Sequence, residues 1–280
     1  MNRILVRRTG GLGDVILTTP IVRRLRWENP DIEIAVQTAY PEVYRNNPHI
    51  NDVTDDNTET RLIDLDLAYE REPGIHVVTA YMKAAFGDAG DPEDYQQELF
   101  FAAKSRNPRS LSRSFCVAVH AAQAGWRNRT LPSSTWATVC DRLKAFGLRP
   151  ILVGTKRDTF PGYENHLCIL DMDLHAQAQV IAQCCAFVGS DTAMLHVAGS
   201  THVPIVGVFT SVDPAYRLPW RDGVLGKLCR AVQPKGLDCL GCQARRPIPS
   251  TTEGCERGDL ACIQAVTPEQ IITAVRELVG

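Results

Sequence analysis

No apolar run in this chain approaches the ~20 residues that a helix needs to cross a bilayer, so no membrane span is expected. Neither sign of charge is in surplus. Thirty Lys and Arg stand against 32 Asp and Glu, a net charge of -2, and no nucleic-acid partner is expected from such a surface. Internal repeats and low-complexity segments are missing, and no GxxxxGK[ST] exists, which excludes a P-loop ATPase. Gly11-Leu12-Gly13 is not completed to G-x-G-x-x-G, because Ile16 occupies the third small position. The N-terminal stretch has no secretory apolar core, since Arg7, Arg8 and three glycines interrupt it. The expected address is the cytoplasm, with the inner face of the cytoplasmic membrane as the alternative.

What is present is the composition of an ordinary folded protein, 44% hydrophobic and 22% charged. At roughly 100–200 residues per domain, 280 residues suggest two domains. Strand-like and helix-like runs alternate, the sign of α/β architecture with parallel strands. Strands are expected at 4–6, 32–36 and 62–65, with a helical run over 14–27 that Pro20 restarts or kinks. The polar stretch 86–114 reads as connecting helix and linker rather than core. A second set follows: strands at 115–120, 151–153, 187–188 and 203–209, and helices over 136–146, 176–185 and 192–198. Thr267-Pro268-Glu269-Gln270 combines an N-cap, a proline at the first helical position and a capping-box glutamine, so a last helix should run to Leu278.

Two stretches carry candidate chemistry. In "RTGGLGDVILTTP" a glycine turn presents Asp14 where a first strand becomes a first helix; the carboxylate is either an N-cap or a functional group. In "VGSDTAMLHVAG" a short strand runs into Asp191-Thr192-Ala193, a helix entry with little side-chain bulk that suits a phosphate. The plain alternative makes Asp191 an N-cap and His196 a packed helix residue.

Together these stretches resemble glycosyltransferase family 9, which holds the lipopolysaccharide heptosyltransferases. "GLGDVILTTP" matches the family's opening strand–G-x-G-D-v-i-l-t-t-P, and "DTAMLHVAGSTHVPIVGVFTSVDP" resembles its D-(S/T)-G-x-x-H motif and the F-G-x-T-D-P strand end. In "RNRTLPSSTW", Arg129 stands at the basic position ahead of W-P-x-x-x-W, with Leu131 for the first tryptophan and Trp136 for the second. Ala193 and Thr210 replace two motif glycines, and the first domain is short. The resemblance implies a GT-B arrangement of two facing Rossmann-like domains. An acceptor-side domain would span 1–112 and a nucleotide-sugar domain 113–266 with a Cys-rich segment at 229–262. The helix over 267–280 would pack back toward the first domain.

The implied activity is inverting transfer of a sugar, heptose from ADP-heptose, to a saccharide hydroxyl of lipopolysaccharide or a related glycan, with no catalytic metal. Asp14 would be the general base and Arg129 the cation at the departing diphosphate. Gly11, Gly13, Arg127, Asp158, Asp191, Thr192, Ala193 and His196 would bind donor and substrate, with Asp158 at the ribose-binding position. Rival readings are a 2-epimerase-like nucleotide-sugar enzyme and a non-catalytic, metal-stabilised binding module.

Cys239-x2-Cys242, twelve residues, Cys255, six residues and Cys262 form a further constellation. Four thiols in an aperiodic loop suit a closed structural zinc or iron site, or are free thiols kept reduced. The resemblance extends to iron bound by four cysteines in autotransporter-modifying relatives. Cys116, Cys140, Cys168, Cys184, Cys185 and Cys229 read as core or incidental residues. Asp64-x-Asp66 and Asp171-x-Asp173 each match a D-x-D metal pair without the remaining context. The basic run Arg23-Arg24-x-Arg26-Trp27 reads as a solvated face, or as a peripheral contact with membrane or acceptor phosphates.

Overall fold

The computed structural model describes residues 3–58, 61–101, 115–122, 126–245, 255 and 257–280. The strands are β1 (Arg3–Arg7), β2 (Glu33–Gln37), β3 (Asp52–Val53), β4 (Arg61–Asp64), β5 (Cys116–His120), β6 (Arg149–Gly154), β7 (Leu167–Leu170), β8 (Ala186–Ser190), β9 (Ile205–Val208), β10 (Trp220–Arg221), β11 (Val224–Leu225) and β12 (Cys229–Val232). The helices are α1 (Leu12–Ile16), α2 (Thr19–Glu28), α3 (Ala68–Arg71), α4 (Val77–Phe86), α5 (Ser133–Ala145), α6 (Leu174–Ala182), α7 (Ala193–Gly199), α8 (Ala261–Gln264) and α9 (Pro268–Val279).

Two parallel sheets result, ordered β3-β2-β1-β4 and β12-β9-β8-β5-β6-β7, with β10 and β11 as a separate antiparallel hairpin. Parallel strands are covered on both faces and so read as continuous apolar runs, such as Cys116–His120, in which every residue is buried. One core joins Ile4 and Val6 of β1, through Ile16 and Ile21, to Leu195, Val197 and Phe209 beside the second sheet. A second core lies under the other face of the larger sheet and contains Val119, Trp136, Val206, Ile271 and Val275.

Two expectations change, and one is met: the helical run over 14–27 breaks at 17–18, where the Thr18 hydroxyl returns to the Val15 carbonyl and Pro20 enters the first turn of α2, so the run restarts there. The stretch 86–114 is not all linker. Tyr95, Gln97 and Leu99 are buried, and the Gln97 amide donates to the His196 carbonyl at 2.9 Å; 102–114 lies outside the described residues.

The other change concerns α9, which starts with the expected Thr267–Gln270 capping box but does not turn to the first sheet. It packs on α5 and on β8, β9 and β12, because its buried face of Ile271, Ile272, Ala274 and Val275 meets the apolar underside of the second sheet. Arg142 and Glu269 pair across that contact.

The arginines of α2 are not an open basic face. Arg23 is buried against Glu98 at 2.6 Å and the Asp94 carbonyl at 2.7 Å, Arg24 meets Asp88 at 2.9 Å, and Arg26 donates to the Ile32 carbonyl at 2.8 Å. No described helix is long and apolar enough to cross a membrane.

Candidate active site

The glycine turn is held from the neighbouring strand. Asp66, just past β4, accepts from the Thr9 N–H and the Thr9 hydroxyl, both at 2.8 Å. Asp64 pairs with Arg7, so this acidic pair anchors the end of β1. The other pair is equally engaged: Asp171 meets Lys156 at 3.6 Å, while Asp173 caps α6 and pairs with Arg45 at 2.7 Å.

Asp14 is not a cap. Gly11 occupies the N-cap of α1, and Asp14 lies in the first turn with its side chain turned to the first sheet. Its Oδ2 accepts from Arg8 Nη2 at 3.0 Å and from the Tyr69 hydroxyl at 3.5 Å. Arg8 is only 3% exposed and also meets the Leu65 carbonyl at 3.3 Å and Glu70 at 3.4 Å. Its guanidinium lies 5.3 Å from the Tyr69 ring centre and 5.7 Å from that of Tyr81. Burial works against that charge, but Tyr81, Asp14 and Glu70 outweigh it and hold Arg8 more firmly protonated than usual. Such a buried cation holds the carboxylates around it in place.

Asp14 stands between two adjoining cavities. One, about 480 Å³, is lined by Arg8, Asp14, Tyr69, Glu70, Tyr216 and Arg217. The other, about 340 Å³, shares Asp14, Tyr69 and Arg217 and reaches Arg129, Thr192 and His196. Arg217 is buried at the junction, 4.6 Å from the Tyr69 ring centre, with Nη1 on the Tyr216 carbonyl at 3.1 Å. Burial opposes its charge, yet Tyr69, Asp191 and Asp14 raise its pKa. The sequence reading missed Arg8, Tyr69, Trp126 and Arg217. For Arg217 the available signal was its place just after the Asp213-Pro214 strand end.

On the other wall, Arg129 is paired within the protein. Its Nη1 lies 3.2 Å from Asp191 Oδ2, and its Nε donates to Gln243 at 3.1 Å. Asp191, 2% exposed, does not cap α7 either; Thr192 occupies the N-cap in extended backbone and makes no side-chain cap. Ala193 is the first helical residue and is absent from the left-handed region, so the missing motif glycine costs nothing in backbone conformation. Thr210, the other replaced glycine, is buried and donates to the Asn128 carbonyl, tying down the turn that carries Arg129.

Other expected residues sit differently. Burial pushes His196 down to about 4, so its ring is neutral near pH 7 although it lines the smaller cavity. Gly13 lines that cavity too, but its small size serves the packing of α1 on α7, since a Cβ there would lie 2.8 Å from His196 Cδ2. Arg127 is exposed and lines neither cavity. Asp158 lies outside both linings and closes a capping box with Thr155.

None of the ten cysteines is disulfide-bonded. Cys239, Cys242 and Cys255 lie close enough to Cys262 to raise its thiol pKa, after burial, to about 11. Slight burial opposes ionisation of Cys255, but the backbone around Leu260, Arg257, Gly258 and Asp259 hydrogen-bonds its sulfur and lowers its pKa. That donor set has the chemistry of a thiolate metal knuckle. Among the described residues, however, no three His, Cys, Asp or Glu side chains are arranged to hold a metal ion.

Residues 53–233 match the family model described as glycosyltransferase family 9 (heptosyltransferase). The chain belongs to that family. It is accordingly a glycosyltransferase, and its two facing parallel-sheet units are the GT-B arrangement. The match begins after the glycine turn, so the first sheet's opening motif lies outside it. Three solved structures are similar in fold. A family 9 glycosyltransferase from Veillonella parvula DSM 2008 superposes with a TM-score of 0.77 at 16% identity, over 99% of this chain and 97% of its own. TibC, an iron-containing dodecameric glycosyltransferase from enterotoxigenic E. coli H10407, gives 0.74 at 16% identity, over 99% and 76%. The E. coli ADP-heptose lipopolysaccharide heptosyltransferase II gives 0.68 at 14% identity, over 100% and 98%. No curated protein matches the transferase in sequence.

Proposed function

We propose that this transferase moves heptose from ADP-heptose to a saccharide hydroxyl of lipopolysaccharide or a related glycan, with inversion, in the cytoplasm. The observation that carries the reading is the position of Asp14 at the junction of two cavities, one walled mainly by the segments that follow β1 and β4 together with Tyr216 and Arg217, the other by the entry to α7. The larger cavity would take the acceptor, on the 1–112 side, and the smaller would take the donor, on the 113–266 side. Asp14 accepts the proton of the acceptor hydroxyl, whose oxygen attacks the anomeric carbon as the bond to the diphosphate breaks. A single displacement of this kind inverts the anomeric centre. Charge growing on the diphosphate meets Arg217, Arg129 and the backbone N–H groups at Thr192 and Ala193, where Thr192 makes no side-chain cap. Gly11 and Gly13 bring backbone to the edge of the donor cavity. Arg8 keeps the Asp14 carboxylate in place. The name of the E. coli heptosyltransferase II of the same fold supports ADP-heptose as donor.

Two measurements test the assignment. ADP titration of wild type against Thr192→Glu should show affinity lost in the variant, because a like charge then lies where phosphate binds; unchanged affinity overturns the donor placement. Mass spectrometry of reactions with ADP-, GDP- and UDP-sugars should find ADP released from ADP-heptose, and turnover of another donor alone overturns the choice of base and sugar.

Cys239, Cys242, Cys255 and Cys262 are proposed to hold a structural zinc or iron. Four thiolates leave no open coordination position. The iron-containing relative of the same fold supports this reading.

A further inference from the structure

His120 is a buried histidine that the displacement above does not use. It ends β5, is 5% exposed, and reaches across the carboxyl ends of three strands. On one side its Nε2 lies 3.5 Å from Asp158 Oδ2, on the turn after β6. On the other its Nδ1 lies 3.1 Å from the Thr192 hydroxyl, at the entry to α7. Gly154 makes room for the ring: it sits at φ +118, and a Cβ there would come 2.7 Å from His120 Cδ2. Asp158 is fixed in turn, accepting from the Thr155 N–H at 3.0 Å and the Thr155 hydroxyl at 2.8 Å. The expected ribose-binding carboxylate therefore faces a histidine. Its side chain is 8% exposed.

We propose that His120 and Asp158 are positioning residues for the donor diphosphate, acting through the Thr192 hydroxyl; this rests on the donor placement above. Thr192 lines the donor cavity, whereas neither His120 nor Asp158 does. A ring protonated at both nitrogens donates to Asp158 and to Thr192 Oγ1 at once. Thr192 then has one lone pair occupied, and its own O–H, which otherwise faces the Ser190 carbonyl at 3.4 Å, can turn into the cavity toward a phosphate oxygen. A ring without the Nδ1 proton accepts from Thr192 instead and turns that O–H away. The charged side chain against the ring is Asp158, and what meets it from the α7 entry is the neutral Thr192 hydroxyl. The diphosphate gains one negative charge as the sugar bond breaks, so the contact is stronger in the transition state and in bound ADP than with intact donor.

The experiment is a double-mutant cycle between His120→Gln and Thr192→Val, read by ADP dissociation constant, kcat and donor KM. His120→Gln should weaken ADP binding and lower kcat by about 10- to 100-fold, with donor KM moving less, as for a hydrogen bond to a charged group. In the Thr192→Val background the same change should cost less than about twofold, because the residue through which it acts is already gone. His120→Asn, whose amide nitrogen can stand near the Nδ1 position, should recover most of the loss. Asp158→Asn in the same cycle replaces His120→Gln should the latter not fold. Full losses in both Thr192 backgrounds, or equal losses for Asn and Gln at 120, overturn the positioning role while leaving the donor site standing. Wild type that binds no ADP overturns the donor placement, and this proposal with it.

Discussion

Gly13 and His196 are in contact across the two halves of the molecule: a Cβ on Gly13 would lie 2.8 Å from the imidazole Cδ2 and 3.2 Å from the Cα of Ala193. The glycine is required by its neighbours, because its backbone is ordinary right-handed helix. Through this contact α1, which carries Asp14, is seated on α7, which opens at Thr192.

Gly13→Ala should therefore destabilise the protein by about 1–3 kcal/mol, the usual cost of forcing a methyl into a packed contact. Gly11→Ala is the control, since its Cβ would find only Asp14 Oδ2, at 3.6 Å. Urea unfolding of both variants reads the difference. Equal stability of Gly13→Ala and wild type would show that close seating of α1 on α7 is not what the glycine serves.

Asp14→Asn should leave the fold and ADP affinity close to wild type. Asp14 caps nothing, and Arg8 retains Glu70 and the Leu65 carbonyl. Turnover with acceptor present should fall about 100- to 10,000-fold, the contribution of a general base. A fall of less than about tenfold, measured per folded molecule, would remove Asp14 from that role.

His76 makes stability depend on pH. Its Nδ1 accepts from the Val78 N–H at the start of α4, and its Nε2 meets the Leu218 carbonyl at 2.9 Å, so the folded ring is neutral with both nitrogens engaged. Burial pushes it down to about 3, and His196 to about 4. An unfolded histidine titrates near about 6.5, so below that pH the unfolded chain binds protons that the folded chain refuses. Stability is full above about pH 6.5 and falls as pH drops toward the folded values, by at most about 1.4 kcal/mol per unit per histidine. Urea midpoints from pH 7.5 to 5.5 should show this slope in wild type and a shallower one in His76→Asn, which can still cap α4. Identical slopes would refute the assignment.

For the cysteines, protein purified under reducing conditions without added metal should contain close to one equivalent of zinc or iron. Chelation should lower the thermal midpoint and expose Cys262, now buried, to alkylation. Less than about a tenth of an equivalent of both metals together would mean free thiols.

Local order was legible in the sequence. The apolar run of β1, the break near Pro20 and the capping box at Thr267 and Gln270 depend on contacts within a few residues, and spacing reports those. The glycine turn and the small-residue entry to α7 were visible for the same reason. Partners were not. Nothing near Asp14 in the chain says that its carboxylate turns to Arg8 and Tyr69 instead of capping α1, nor that Arg217 comes to lie beside the same tyrosine. The buried stripe of α9 announces that a face is covered, but which sheet covers it follows from where the second sheet leaves apolar area open. Periodicity records that a side chain leaves water. The surface it meets is set by contacts between residues far apart in the chain, and only packing of the whole molecule brought Asp14, Arg217 and Thr192 to one pair of cavities.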